Sequence, residues 1–150
     1  MDPGTFQIIW FVVMATILSI FWIQGGIALK IYPTLESVNI RFREKWASGY
    51  SNDSFKTRMG GAQNILDIIV TTEELWVRTP RLFAGMSAQF GTLKKLELTQ
   101  VKAIEINNSS VRIEIAEKFN KTSEIILKMK RPDEFKSTIE NLQTGNKKSI

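Results

Sequence analysis

The side chains of this sequence that could do acid–base chemistry are carboxylates. Glu73 and Glu74 are adjacent, and Glu114 and Glu117 are three residues apart. A hydrolase that works with two carboxylates needs them to converge in a cleft at a set separation. The first pair falls in an expected turn, and the second lies on or at the end of an exposed strand face. Neither pattern predicts an active site.

The chain has no histidine and no cysteine. It therefore lacks the commonest general base and zinc ligand, and disulfides, thiolate chemistry and lipidation on cysteine are excluded. It also lacks the nucleophile-elbow, phosphate-loop and zinc-protease motifs. We expect a protein that is not an enzyme and has neither a cofactor nor a bound metal. A metal site made only of carboxylates stays open as an alternative.

The net charge is mild. Twenty basic and 15 acidic residues give a formal charge of +5. A nucleic-acid-binding domain has a denser basic patch with aromatic residues among the cations. We therefore expect no nucleic-acid partner, whereas a mild positive charge suits a protein at an anionic membrane surface.

A run of 24 residues without formal charge, from Phe6 to Leu29, predicts a transmembrane helix. As a helix it would extend roughly 36 Å, and the hydrocarbon core of a bilayer is about 30 Å thick. Trp10 and Trp22 fall near its two ends, where interfacial aromatic residues are enriched. A signal peptide and a buried core helix are the alternatives. The apolar run is too long and too weakly basic at its start for the first, and its polar residues are too scattered for the second.

The flanking charges predict the orientation. Only Asp2 precedes the span, whereas Lys30, Arg41, Arg43 and Lys45 follow it. Since Lys and Arg stay preferentially on the cytoplasmic side, we expect the N-terminus outside and residues 30–150 in the cytoplasm, as a single-pass protein of the inner (plasma) membrane.

A juxtamembrane connector is expected after Pro33, which ends the membrane helix. Leu35, Val38, Phe42 and Trp46 share one face of a helix, which either packs on the domain or lies on the membrane surface. A strand with alternating Val38, Ile40 and Phe42 is a competing interpretation. The turn-rich stretch 48–54 is expected to be a loop.

From Asn64 onward the pattern indicates six or seven antiparallel strands with short turns. Val111 to Glu117 alternates apolar and charged residues strictly, as expected for a strand with one buried face. The stretch 81–91 is expected to include a short edge strand. Pro132 begins an amphipathic helix with Phe135, Ile139 and Leu142 on its apolar face, closed by Thr144 and Gly145.

This order of strands and terminal helix resembles pleckstrin-homology-like (PH-like) domains, including the GRAM branch. The stretches that carry the resemblance are 69–77, similar to the first hairpin, 96–104, before the middle hairpin, and 130–142, similar to the terminal helix. The whole chain resembles small prokaryotic single-span membrane proteins with a PH/GRAM-like domain, whose function is uncharacterised, and 45–50 looks like their aromatic motif after the anchor.

The implied class is α+β, a transmembrane helix followed by a PH-like antiparallel β-barrel or sandwich capped by a helix. The expected division is tail and transmembrane helix 1–32, connector 33–59, β domain 60–143 and polar tail 144–150.

The resemblance implies a binding module, but the phosphoinositide-binding members use basic residues around the first hairpin. Here the corresponding turn carries Glu73 and Glu74, which would repel phosphate. The remaining basic clusters could contact anionic lipid headgroups or be solvated: Lys94, Lys95, Lys128, Lys130 and Arg131.

The leading hypothesis is a membrane-anchored, non-catalytic adaptor or assembly subunit whose domain binds a protein or an extended peptide. The expected partner contacts, where exposed, are Trp46, Trp76, Phe83 and Phe90. One alternative is an anionic-lipid sensor at the membrane surface, and a second is an accessory subunit of a membrane enzyme complex.

Overall fold

The computed structural model describes residues 2–53, 61–117 and 121–147. Its helices are α1 (Pro3–Ala28), α2 (Arg81–Gln89) and α3 (Pro132–Lys147), and short 3₁₀ turns lie at Leu29–Ile31, Leu35–Ser37 and Leu98–Gln100. Its strands are β1 (Ile40–Ser51), β2 (Ala62–Thr71), β3 (Glu74–Arg78), β4 (Lys94–Glu97), β5 (Val101–Asn107), β6 (Ser110–Ala116) and β7 (Thr122–Lys128).

Across the described residues, the seven strands form one antiparallel sheet in the order β4-β3-β2-β1-β7-β6-β5. The sheet is a meander on each side of β1, which pairs with β2 along one part of its length and with β7 along the other. The predicted order of elements is confirmed: a long apolar N-terminal helix, an antiparallel sheet and a C-terminal helix.

The core lies between the sheet and α3. In β6, Val111, Ile113 and Ile115 are buried while the residues between them are exposed, so the alternation seen in the sequence sets the inner face. Phe135 and Ile139 of α3 are fully buried in the same cluster. Gln143 donates to the backbone oxygens of Leu98 and Val101, which fastens the helix over the corner between β4 and β5. The predicted apolar face of this helix is confirmed.

The expected helix through Leu35, Val38, Phe42 and Trp46 is wrong. Residues 40–51 form β1, as the competing strand interpretation predicted for Ile40 and Phe42. A long strand wins here because both of its neighbours supply backbone hydrogen-bond partners. The strand belongs to the middle of the sheet, although the expected division placed it in the connector. Of that connector, 54–59 lie outside the described residues.

Two further expectations change with β1. The hairpin over 69–77 joins β2 to β3 and is therefore the second hairpin. The first joins β1 to β2 through residues 52–61, of which 54–60 lie outside the described part. Glu73 and Glu74 therefore do not lie at the first hairpin, and the expectation that they repel phosphate there is wrong. The expected edge strand within 81–91 is helix α2, and α3 continues through Gly145 to Lys147.

A second buried cluster connects α1 to the outer face of the sheet. Tyr32 packs edge-on against Trp76, with ring centroids 5.7 Å apart, and both contact Ile69. The Tyr32 hydroxyl lies 2.7 Å from the backbone oxygen of Val77 and 3.1 Å from that of Lys94. The three residues between Ala28 and Tyr32 are too few to act as a flexible linker, so the end of α1 is held close to the sheet.

The buried carboxylate of Glu44 on β1 fixes the start of α3. It accepts hydrogen bonds from the backbone N–H groups of Lys130 (2.6 Å) and Arg131 (3.0 Å). The Arg131 guanidinium completes the site: it lies 4.8 Å from the ring centroid of Phe42 and donates to the backbone oxygen of Arg43. Glu44 therefore satisfies donors that precede the helix and would otherwise be left without a partner.

Replacing Glu44 by Gln tests this contact. The variant loses the charge and leaves one backbone donor facing an amide NH₂, so we expect the free energy of unfolding to fall by about 1–3 kcal/mol. The measurement is chemical denaturation of the full-length protein in detergent micelles. Glu36→Gln, at an exposed residue, is the control, and an equal change in both variants would contradict the role given to Glu44.

Candidate functional site

Helix α2 packs across the C-terminal end of α1 at very short range. A Cβ atom on Gly25 would overlap the backbone carbonyl of Arg81, and one on Gly85 would lie 3.0 Å from the Cβ of Gln24. Both glycines are buried, as are Ala84 and Ser87 on the same helix. Small residues on both sides let the two backbones approach more closely than ordinary helix pairs do.

Arg81 reinforces this junction. Its guanidinium lies over the indole of Trp22, 4.6 Å from the ring centroid, and its Nε donates to the backbone oxygen of Trp22 at 3.1 Å. A Cβ on Gly26 would lie 2.6 Å from Nη2, so the glycine provides the space in which the guanidinium sits. The side chain is thus stacked, hydrogen-bonded and held against α1.

Trp46 is the most exposed large apolar side chain on the sheet domain as far as the structure describes it, with 64% of its surface accessible. It lies at a β-bulge, where the register of β1 against β2 shifts between Lys45 and Ala47, and its φ of 65° is unusual for a bulky residue. Ser48 and Asn64 are hydrogen-bonded across the strands beside it. Strained backbone that the surroundings hold in place is found often at binding sites.

Trp46 lines two clefts. The first, of about 220 Å³, is bounded by Ile65, Pro80 and the Arg43–Asp67 ion pair. Both guanidinium contacts are short, at 2.9 and 2.7 Å, and hydrogen bonding to Asp67 raises the pKa of Arg43. The second cleft has a volume of about 610 Å³. Most of the residues that line it with Trp46 are polar: Glu44, Ser48, Gln63, Asn64, Ser109, Lys128, Met129 and Lys130.

The first cleft also contains a buried hydroxyl without a partner. Thr79 is 1% exposed and lines this cleft, and its Oγ1 has no hydrogen bond to any residue within 2–53, 61–117 or 121–147. A buried polar atom without a partner is uncommon in folded proteins. Its position makes it available to a group that enters beside Trp46.

The other expected partner contacts are distributed differently. Trp76 is completely buried against Tyr32, so in this structure it is a core residue. Phe83 is 38% exposed on α2 beside the equally exposed Met86, and Phe90 is half-buried at the end of that helix. Trp46 is therefore not brought together with the three other aromatic residues in one surface cluster.

Two of the five expected lipid contacts are engaged in ion pairs on β4. Lys94 lies 3.3 Å from Asp53, and Lys95 lies 3.3 Å from Glu74. Burial raises the pKa of Asp53, but hydrogen bonds from the Ser51 hydroxyl and the Glu124 backbone, together with Lys94, outweigh this and lower the pKa overall. These lysines have local carboxylate partners.

The other three lie elsewhere. Lys128 and Lys130 are exposed beside the second cleft, and Arg131 pairs with Glu134 at 3.0 Å and with Glu44 at 3.7 Å. In the sheet, β3, β2 and β1 stand between β4 and β7. The five cations thus form two separate groups and do not make one patch.

The carboxylate pairs do not face a shared cleft. Glu73 lies in the turn before β3, and Glu74 accepts a hydrogen bond from the Trp76 indole at 2.8 Å. Glu114 and Glu117 are exposed on and after β6. Within the ranges that the structure describes, no group of three Asp or Glu residues is arranged to hold a metal ion.

No protein-family model matches the sequence, and no curated protein matches it significantly. Two solved structures match part of this chain at low similarity. One is the complex of the FERM and C-terminal domains of Drosophila Merlin, at 9% identity and a TM-score of 0.43, over 76% of this chain and 34% of that one. The other is the complex of PDZ-RhoGEF DH/PH domains with GTP-γ-S-activated RhoA, at 10% identity and a TM-score of 0.43, over 77% and 31%. This chain thus spans about a third of the length of each.

Replacing Gly25 by Ala tests the junction between α1 and α2. The added methyl group overlaps the Arg81 carbonyl, and overpacking of this kind costs about 1–3 kcal/mol. We expect amide hydrogen exchange in α2 to accelerate roughly 5- to 150-fold while exchange in β6 stays unchanged. Gly145→Ala is the matched control, since a Cβ there meets nothing within 4 Å. Unchanged exchange in α2 of the Gly25 variant would refute the close packing.

Proposed function

We propose that this chain is a single-pass membrane protein without catalytic activity whose PH-like domain binds a protein partner at the membrane surface. The observation that carries the proposal is the exposed Trp46, which lines two clefts, on a domain whose attachment to α1 is rigid. The wider roles that fit are those of an adaptor or an assembly subunit. An accessory subunit of a membrane enzyme complex would use the same surface.

Membrane anchoring is supported by α1. The helix has 26 residues, and the helical stretch that contains it has a mean hydropathy of 2.2 in its most apolar window, none of which is buried by protein. A helix that is apolar all round and unburied is stable in lipid but not in water. We place the domain in the cytoplasm and the N-terminus outside the inner (plasma) membrane, because the basic residues follow the span: Lys30, Arg41, Arg43 and Lys45.

The chemistry of the Trp46 surface favours a protein as the ligand. Tryptophan is the residue most enriched at the energetic centres of protein interfaces, and such a side chain works best beside clefts that a partner can fill. The Arg43–Asp67 pair and the Thr79 hydroxyl offer polar contacts next to the apolar faces of Trp46, Ile65 and Pro80. Because the bulge fixes the backbone, little conformational entropy is lost when a partner binds.

A second candidate function is an anionic-lipid sensor that uses Lys94, Lys95, Lys128, Lys130 and Arg131. The exposure of Lys128 and Lys130 favours it. The ion pairs of Lys94 and Lys95 and the distance between the two groups in the sheet disfavour it, because phosphate recognition needs several cations converging on one point.

Replacing Trp46 by Asn in the full-length protein tests the proposal. Asn tolerates a positive φ, so this change removes the indole with little added backbone strain. A photo-cross-linking residue at the exposed neighbour Lys45 reports on the cleft in intact native membranes. We expect one protein adduct, reduced more than about tenfold by Trp46→Asn.

Trp10→Ala serves as the control, since Trp10 is also exposed but lies in α1. It should leave the adduct unchanged. If the adduct is equally strong with Trp46→Asn, or if only lipid is cross-linked, the protein-binding proposal fails. Extraction of the same membranes with alkaline carbonate tests the anchor separately, because a spanning protein stays in the pellet.

A further inference from the structure

A groove lies alongside the end of α1, on a different surface from Trp46. It has a volume of about 520 Å³ and is lined by Ile23, Gly26, Ile27, Leu29, Lys30 and Arg81. Ile23, Ile27 and Leu29 make its walls apolar. Its two cations are the Arg81 guanidinium, which lies beside Gly26, and Lys30, which follows the end of α1. A phospholipid presents the complementary chemistry, with an anionic phosphate at the bilayer surface and acyl chains inside it.

The guanidinium of Arg81 has a fixed orientation and Nη donors that could bind an anion in this groove. Its Nε is used by the Trp22 carbonyl and one face of its guanidinium by the Trp22 ring, which fixes the plane of the group. No carboxylate in the described part of the chain pairs with Arg81 or Lys30, whereas Arg43, Arg112 and Arg131 all have such partners. The Nη donors of Arg81 thus remain available, and a planar guanidinium with two free nitrogens matches the geometry of a phosphate.

The position of the groove along α1 fits the headgroup region. The Arg81 guanidinium lies beside Gly26, which is four positions before Lys30, or about 6 Å along the axis. The polar layer of one leaflet is roughly 5–8 Å thick. When α1 spans the bilayer, Arg81 and Lys30 therefore both fit within the polar layer, and Ile23 lies at its inner boundary beside the first part of the acyl chains.

We propose that this groove is a binding site for one anionic phospholipid, whose phosphate is held by Arg81 and Lys30 and whose acyl chain follows Ile23 and Ile27 along α1. The inference rests on the proposed membrane anchoring. An anionic headgroup is preferred over a zwitterionic one because the latter would bring its own cation next to Arg81 and Lys30. The bound lipid would also stabilise the junction between α1 and α2, since Arg81 begins α2 and contacts Trp22 of α1.

Native mass spectrometry of the full-length protein, released from mixed micelles that contain equal amounts of phosphatidylglycerol and phosphatidylcholine, tests the site. We expect the wild type to retain one phosphatidylglycerol in preference to phosphatidylcholine. Lys30→Gln leaves the stacked Arg81 in place and should reduce retention roughly fivefold, the effect of one basic residue near an anionic headgroup. Arg81→Gln should reduce it further.

Arg41→Gln is the matched control, because Arg41 is an exposed arginine outside the groove, and it should retain lipid as the wild type does. Equal retention by Lys30→Gln, Arg81→Gln and the control, or no preference between the two lipids, overturns the proposal. If Arg81→Gln does not fold, Lys30→Gln decides. Carbonate extraction separates the two failures: an extracted protein refutes the anchor itself, whereas an inserted protein without retained lipid refutes only this site.

Discussion

The contact between Gly25 on α1 and the backbone of Arg81 on α2 is the constraint on which the rest of the structure depends. Two helices can approach this closely only where no side chain lies between their backbones. Gly25 on α1 and Gly85 on α2 meet this condition because neither has a Cβ atom. Tyr32 adds a second attachment a few residues later by inserting between α1 and the sheet. With two attachments so close together, α1 and the sheet domain behave as one body.

This rigidity gives both proposed surfaces a defined place. Thr79 and Pro80 line the cleft beside Trp46. Arg81, the next residue, packs against Trp22 of α1. The partner cleft and the lipid groove are therefore lined by consecutive residues, Pro80 in the first and Arg81 in the second. We expect a change in one surface to alter the other, because Arg81 is held tightly between the ring of Trp22 and the backbone of Gly25.

Much of the fold could be predicted from the sequence because its signals are local. The alternation in β6, the Pro132 start of α3 and the uncharged run of α1 each depend on residues within one element. β1 was assigned less well, because its helical and strand periodicities compete over residues 35–46 and only pairing with β2 and β7 decides between them. The prediction of 69–77 as the first hairpin is wrong for the same reason, because the hairpins are counted from β1.

The candidate site was harder to predict because it depends on contacts between distant segments. Trp46 was named from its type, but its bulge arises from a register shift against β2 that no spacing in β1 encodes. Trp76 is also a tryptophan, but it is buried against Tyr32, which lies 44 positions earlier in the chain. Helix α2 was missed because its glycine suggested a break, although the small residues around Gly85 are also typical of a helix that packs closely on another.

The most direct test of the central claim is a distance measurement between α1 and the sheet domain in a bilayer. The chain has no cysteine, so spin labels at Ser19→Cys and Asn107→Cys, both exposed positions, are specific. Double electron–electron resonance in lipid nanodiscs should give one narrow distance distribution if α1, α2 and the sheet form a single body. A broad or multiple distribution would mean that the domain moves freely about the end of α1, and would contradict the account.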